Sequence, residues 1–225
     1  MLRKNEKGFA LVLSLILLMV MSLMGGSLVV ISSSDHRGNN MSDQYQQAFY
    51  VAETALLEGE KDLTSSFMGG KTLDQDGGKL IDGNKGVPPS DGTDEHPINA
   101  DKDTPCYKSF KNITEHDVVG IRVVKHIIGK KFIDIVRPVL AEVRKEAHYG
   151  ETDDIDYEET YLEHFTYEFF MENLGSAEYK ELGSSMQATA VDVVTNGTAY
   201  KIYACGIYDV DKIIIPLESV VVLPG

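Results

Sequence analysis

A basic leader closing on Lys7-Gly8-Phe9 runs into an uncharged apolar stretch from Phe9 to Ile31, and no other feature limits the possible folds so strongly. Wound as a helix at 1.5 Å per residue, the stretch covers about 34 Å, enough to cross a hydrocarbon core of about 30 Å. A secretory signal peptide has a shorter apolar core with a small-x-small cleavage site behind it, and neither occurs here. Arg3, Lys4 and Lys7 all precede the span, so the positive-inside bias keeps Met1 in the cytoplasm and sends the C-terminal bulk across. Taken alone, such a run also suits a plain signal anchor.

The helix is expected to continue. From Met41 the apolar residues Met41, Tyr45, Ala48, Phe49, Ala52, Leu56 and Leu63 recur at three- or four-residue steps, which makes one packed stripe. Phe9 to Leu63 would then be a helix on the order of 80 Å long. Its first half, 9–31, requires lipid or neighbouring helices, and its second half requires a head domain to cover the stripe. Gly25 and Gly26 each lower helix propensity by about 1 kcal/mol relative to Ala. They read either as a close-packing site for another helix or as a place of local melting.

The set Gly8-Phe9-Ala10-Leu11-Val12-Leu13, Ser32-Ser33-Ser34, Gly38-Asn39-Asn40 and Ala48-Phe49-Tyr50-Val51-Ala52-Glu53-Thr54-Ala55-Leu56 resembles the N-terminal region of PilX-type minor pilins. Near the other end, Ala199-Tyr200-Lys201-Ile202-Tyr203-Ala204-Cys205-Gly206 and Leu217-Glu218-Ser219-Val220 are similar to the last strands of that family. The resemblance implies a type IV pilin-like fold. It also implies a leader, 1–8, removed by prepilin peptidase between Gly8 and Phe9, with methylation of the new Phe nitrogen. Major pilins usually carry Glu at the fifth mature position, where it meets the N-terminal amine of a neighbouring subunit. Here that position is Leu13, which points to a low-copy or initiating subunit. Phe9, Leu11, Leu13 and Ile16 would pack with other pilin helices. The implied partners are major and minor pilin subunits, prepilin peptidase, the inner-membrane pilus assembly platform and the lipid bilayer. A tip pseudopilin of type II secretion is the nearest alternative, although its larger head usually holds an inserted helical region. An envelope-anchored calcium- or ligand-binding module is another.

Residues 64–225 suffice for one head domain. The chain has a net charge of −14, so nucleic acid is not expected as a partner and a solvated acidic surface is. The only two cysteines, Cys106 and Cys205, lie on the translocated side, where an even pair is expected to form a disulfide. No Cys or His has zinc-site spacing. The acidic loop 64–105 is rich in Gly, Asp, Pro and Ser and reads as a long loop with turns. Within it Asp74, Asp76, Asp82 and Asn84 form an oxygen-rich cluster of the kind calcium takes, with Asp91, Asp94 and Glu95 a second, but the spacing is not that of an EF-hand. A solvated loop accounts for both, and no cofactor is required. Met68-Gly69-Gly70-Lys71-Thr72 lacks the first glycine of a phosphate loop.

Ile121 to Val124 and Phe132 to Val136 favour strands, while a helix ending before Pro138 fits the same stretch. Strand signals are clearer in Tyr161–Met171, Ser185–Val194, Ala199–Ile207 and Leu217–Leu223, separated by Gly175, Asn196-Gly197 and Asp209–Asp211. Asn196-Gly197 is a two-residue hairpin signal. The fold class expected is α+β, a long transmembrane helix packed at its C-terminal half on an antiparallel head sheet of about four strands. Tyr149, Tyr157, Tyr161 and Tyr167 read as a sticky patch or as surface-facing strand positions. The histidines are scattered and no nucleophile motif occurs, so assembly rather than catalysis is expected, with adhesion or aggregation through the head.

Overall fold

The computed structural model describes residues 7–74, 79–93, 95–114, 120–146, 152–179 and 195–224. Its first element is one helix, α1 (Lys7–Met68). It begins before the expected Phe9 and passes the expected end at Leu63. Two glycines stop it: Gly69 takes φ +78°, and the Gly70 N–H donates to the Ser65 carbonyl at 2.7 Å, the long-range bond of a Schellman cap. The chain divides into two compact units, Met1–Gln44 and Tyr45–Gly225. The first unit is α1 alone over its described residues.

The second unit is built on a four-stranded antiparallel sheet in the order β3-β4-β5-β6, with β3 Lys125–Lys131, β4 Phe165–Tyr179, β5 Thr195–Tyr208 and β6 Ile213–Pro224. Phe165, Phe169, Met171, Ile202 and Ala204 from one sheet face join Ala48, Val51, Ala52, Ala55 and Leu63 of α1 in one core. Alternate residues on the opposite face, among them Phe170, Tyr203, Cys205 and Ile207, pack under α2 (Pro105–Ser109) and α3 (Lys111–Thr114) with Tyr107, Phe110 and Ile113. The Phe170 and Tyr203 rings stack at 4.9 Å, and Phe110 meets Tyr203 edge-on at 5.0 Å. Both faces of the central strands are therefore covered, which is why these strands read as nearly continuous apolar runs.

The buried stripe of α1 is rotated from the expected one. Ala48, Ala52 and Leu63 are buried as the periodicity implied, but Met41, Tyr45 and Phe49 are exposed, and Val51 and Ala55 take the inward positions. The cause is steric. A Cβ built on Gly206 of β5 would stand 2.0 Å from the Ala48 carbonyl oxygen and 2.6 Å from the Ala52 nitrogen. Strand and helix backbones touch there, so only small helix residues can face the sheet.

Several strand boundaries differ from the sequence reading. Asn196-Gly197 does not turn. It lies inside β5, with Asn196 opposite Glu178 and Gly197 between Ala177 of β4 and Pro224 of β6. The β4–β5 connection passes through 180–194, outside the described residues, and the expected strand Ser185–Val194 lies wholly within it. Gly175 does not end a strand either. It sits at φ +89° where the register shifts after Asn173, and β4 continues beyond this bulge. Asp209 and Val210, at φ +48° and +72°, do form the turn into β6. Pro216 is tolerated within β6 because that strand lies at the sheet edge.

Phe132–Val136 is not a strand. After β3 the chain forms α4 (Ile133–Glu146) and then α5 (Thr152–Leu162), so Tyr161 is helical as well. Ile133, Val136 and Leu140, spaced for one helix face, reach the core on the α1 side of the sheet. Pro138 lies inside α4 at its sixth position, where it has no N–H to give the Asp134 carbonyl. Region 64–105 is likewise not all loop, since it holds the last turn of α1 and an antiparallel pair, β1 (Lys71–Leu73) and β2 (Leu80–Asp82).

Arg137 and Arg144 clamp α4 to α5 through Glu159, at 3.2 and 3.1 Å. Their hydrogen bonds hold the Glu159 carboxyl below its ordinary range. A lowered carboxyl pKa supports folding above the unfolded value and loses that support as pH falls through the folded one. A carbon-detected NMR titration is expected to give Glu159 a midpoint below the ordinary glutamate value of about 4.3, and Arg137→Gln with Arg144→Gln to return it there. For the helix–sheet contact, Gly206→Ala is expected to destabilise the head by about 3 kcal/mol in urea unfolding followed by near-ultraviolet circular dichroism.

Candidate functional site

Between Val12 and Ile31 every side chain of α1 is exposed, including Leu13 at 54% and Ile16 at 56%. The helix is long and apolar enough to cross a membrane. A helix apolar on all sides and covered by none of the described residues suits lipid or other helices. Its polar exceptions are managed locally, as where Ser27 Oγ donates to the Met24 carbonyl at 2.8 Å. Leu13 brings no charge into this surface. A Cβ on Gly25 or Gly26 would meet nothing within 4 Å, so within the chain itself neither glycine is a packing site. The Gly8–Phe9 junction lies in the first turn of α1, close to Leu11, while Met1–Glu6 fall outside the described residues.

In the head, Cys106 of α2 and Cys205 of β5 form a disulfide with Cα atoms 5.6 Å apart. Thr104 caps α2 by accepting from the Tyr107 N–H at 3.3 Å, and Pro105 at the first helical position needs no partner for a missing N–H. That short helix is thereby aimed at the outer sheet face.

Two buried polar clusters were not foreseen. Asp62 sits on the apolar stripe of α1, and its Oδ2 accepts from Lys125 Nζ at 2.6 Å. The same ammonium donates to Thr72 Oγ1 at 2.7 Å and to the Leu73 carbonyl at 2.5 Å, while Asp62 Oδ1 accepts from the Leu73 N–H and from Thr72 Oγ1. One ion pair thus joins α1, β1 and β3. Behind the other sheet face, Glu168 is 1% exposed and lies 2.8 Å from His126 Nε2. The Asp101 N–H donates to His126 Nδ1 at 2.9 Å, so the ring proton resides on Nε2 and is directed at Glu168, which also accepts from Thr104 Oγ1. The only sequence signals were an acid on an apolar stripe and an acid within Tyr167-Glu168-Phe169-Phe170.

The oxygen-rich loop residues are engaged separately. Asp74 accepts from the Lys79 N–H, Asp82 pairs with Lys71 at 2.6 Å, and the Asn84 carbonyl accepts from the Val87 N–H. Asp76 and Asp94 lie outside the described residues, and among the described residues no group of three or more acidic, His or Cys side chains could hold a metal. The tyrosine patch is dispersed: Tyr157 is exposed, Tyr161 packs on Phe165, Tyr167 is buried and Tyr149 lies outside the described residues. Burial pushes the Tyr167 hydroxyl up to about 12.

Residues 7–57 match the family described as PilX N-terminal. Over this region the chain is similar to PilX-type pilins. No curated protein and no solved structure matches it. The PilX match spans the apolar stretch of α1 and the turns carrying Ala48, Val51, Ala52 and Ala55, so it includes the residues that meet Gly206. Together with the apolar helix it fits a membrane-anchored pilin, associated in general with other pilus components. The α+β arrangement of a long N-terminal helix and an antiparallel sheet is like that of type IV pilins.

Lys125→Met would strand the Asp62 carboxylate in the core, and is expected to cost about 3–5 kcal/mol. Adding Asp62→Leu should recover most of that loss in chemical unfolding of the double variant. Removing the disulfide with Cys106→Ser and Cys205→Ser is expected to lower stability by about 2–5 kcal/mol by the same measurement.

Proposed function

We propose that this chain is a minor pilin that enters or primes a type IV pilus. The observation that carries the reading is the coincidence of the PilX N-terminal match with an α1 segment that is apolar on every side and exposed among the described residues. In this reading prepilin peptidase cuts after Gly8 on the cytoplasmic side of the inner membrane and Phe9 is methylated. The head lies in the periplasm until the subunit is drawn into a filament. Leu11, Leu13 and Ile16 then exchange lipid contacts for contacts with major and minor pilin helices on the assembly platform.

Leu13 supports the low-copy role. It offers no carboxylate to a neighbour's N-terminal amine, and an unpaired buried charge is costly, so insertion next to a subunit with an unmatched amine is disfavoured. Initiation needs fewer such junctions than shaft growth. Gly25 and Gly26, free of intramolecular contacts, are where the helix would melt or meet a neighbour on leaving the bilayer. The head's part would be adhesion or aggregation. No chemical step is assigned to it.

The inserted pair α4–α5 between β3 and β4 favours a second reading, a tip subunit of a type II secretion pseudopilus, since such subunits usually carry a helical insertion in the head.

Mass spectrometry of the N-terminal peptide from the native membrane fraction is expected to find N-methylated Phe9, and Gly8→Asp to leave the leader intact and abolish assembly. Normal piliation by the Gly8→Asp variant would sink the pilin reading. Sheared-filament and secretion assays on a deletion strain separate the two machineries: loss of pili with secretion intact supports the first reading, and the reverse supports the second.

A further inference from the structure

In a chain of net charge −14, four lysines gather around one cleft of about 290 Å³ in the head. Lys61 comes from α1, Lys71 from β1, and Lys130 and Lys131 from the end of β3, while Leu73, Leu80, Ile135 and Tyr167 supply apolar wall. Lys61 and Lys71 are paired with Glu58 and Asp82 at 3.0 and 2.6 Å. Lys130 is half-buried and already engaged, whereas Lys131 is exposed and has no ion-pair partner among the described residues. Glu58, Asp62 and Asp134 also line the cleft, but Asp62 is neutralised from behind by Lys125, so the opening carries an excess of positive charge.

The complementary surface is on α5. Its inner side is committed, with Asp156 and Glu159 held by Arg144 and Arg137. Asp154, Tyr157 and Glu158, at i, i+3 and i+4, form an outward strip. Neither Asp154 nor Glu158 has a partner among the described residues, and Tyr157 is 74% exposed. The strip thus sets one aromatic ring beside carboxylates, and the cleft sets ammonium groups around an apolar wall.

We propose that the lysine cleft takes the Asp154–Tyr157–Glu158 strip of a second copy of this chain. The ring enters against Leu73 and Leu80, and the carboxylates meet Lys131 first, with the engaged Lys130 beside it adding to the positive field. Cleft and strip are different surfaces of one head, so the contact is heterologous and adds copies head to tail. Both surfaces lie in the second compact unit, so the contact is independent of the pilin reading. Exposed ion pairs are individually weak and screened by salt, so the association is weak and falls as salt rises.

The test uses the full chain, one copy per lipid nanodisc, in sedimentation velocity at low and high salt. Wild type is expected to self-associate at low salt and to be monomeric at high salt. Lys130→Glu with Lys131→Glu, and separately Asp154→Lys with Glu158→Lys, are each expected to weaken association at least about tenfold. Mixing the two variants should restore it, because each supplies the surface the other lacks. Wild type that stays monomeric at low salt overturns the proposal, as does either variant associating like wild type. So does a mixture that remains monomeric while circular dichroism finds both variants folded.

Discussion

The head depends on one place where two backbones touch. Gly206 leaves no room for a side chain between β5 and the Ala48–Ala52 turn of α1, and that proximity dictates what the helix can present to the sheet. Ala48, Ala52 and Ala55 are small because the axis runs so close, and Gly59 repeats the device one turn further, where a Cβ would stand 2.9 Å from Ile202 Cγ2. Larger side chains fill the space where helix and sheet diverge, Leu63 beyond Gly59 among them, and the aromatics Tyr45 and Phe49 are turned outward. Close packing of this kind gains dispersion contacts that a wider gap would forfeit.

Polar groups inside the head serve the same register. The Asp62–Lys125 pair bridges α1 to the β1 and β3 strands, and the His126–Glu168 pair sits on the other sheet face beneath Thr104. The Asp62–Lys125 ion pair has its further bonds made to Thr72 and Leu73, the condition under which a buried ion pair is tolerated, while a neutral His126 donates to Glu168 and accepts from the Asp101 N–H. A shift of α1 by one residue along the sheet would strand a charge as well as collide with Gly206. The Cys106–Cys205 bridge acts at the same level of β5 from the opposite face, next to Gly206 in sequence.

What the sequence made legible was whatever a single periodicity or composition could encode. The apolar run from Phe9 to Ile31, the helical continuation through Ala48 and Ala52, and the β character of residues 199–207 and 217–223 all correspond to described elements. Less was legible where tertiary context overrides a local signal. Asn196-Gly197 has the chemistry of a turn but pairs with β4 as strand, and Phe132–Val136 has the composition of a strand but leads into a helix from Ile133 because its apolar residues need one face, not two. The inward arc of α1 departs from the periodic stripe because large apolar residues dominate a periodicity, whereas the Gly206 contact selects small ones. Of the candidate site, the uncovered helix surface could be read directly, while the lysine cleft could not. Its lining residues come from six separate elements, α1, β1, β2, β3, α4 and β4, and meet only in the fold.

The Ala48–Gly206 contact also sets an order of events. It joins the first helix to the fifth of six strands, so the small-residue stripe of α1 is the earliest part of the head to be synthesised and among the last to be covered. No shorter fragment can close this core, and Cys106 meets its only partner in the same late interval. Non-local closure of this kind is slow compared with helix formation. The nascent chain therefore passes through a stage in which a formed helix waits with an apolar stripe uncovered, a surface open to aggregation until β5 arrives.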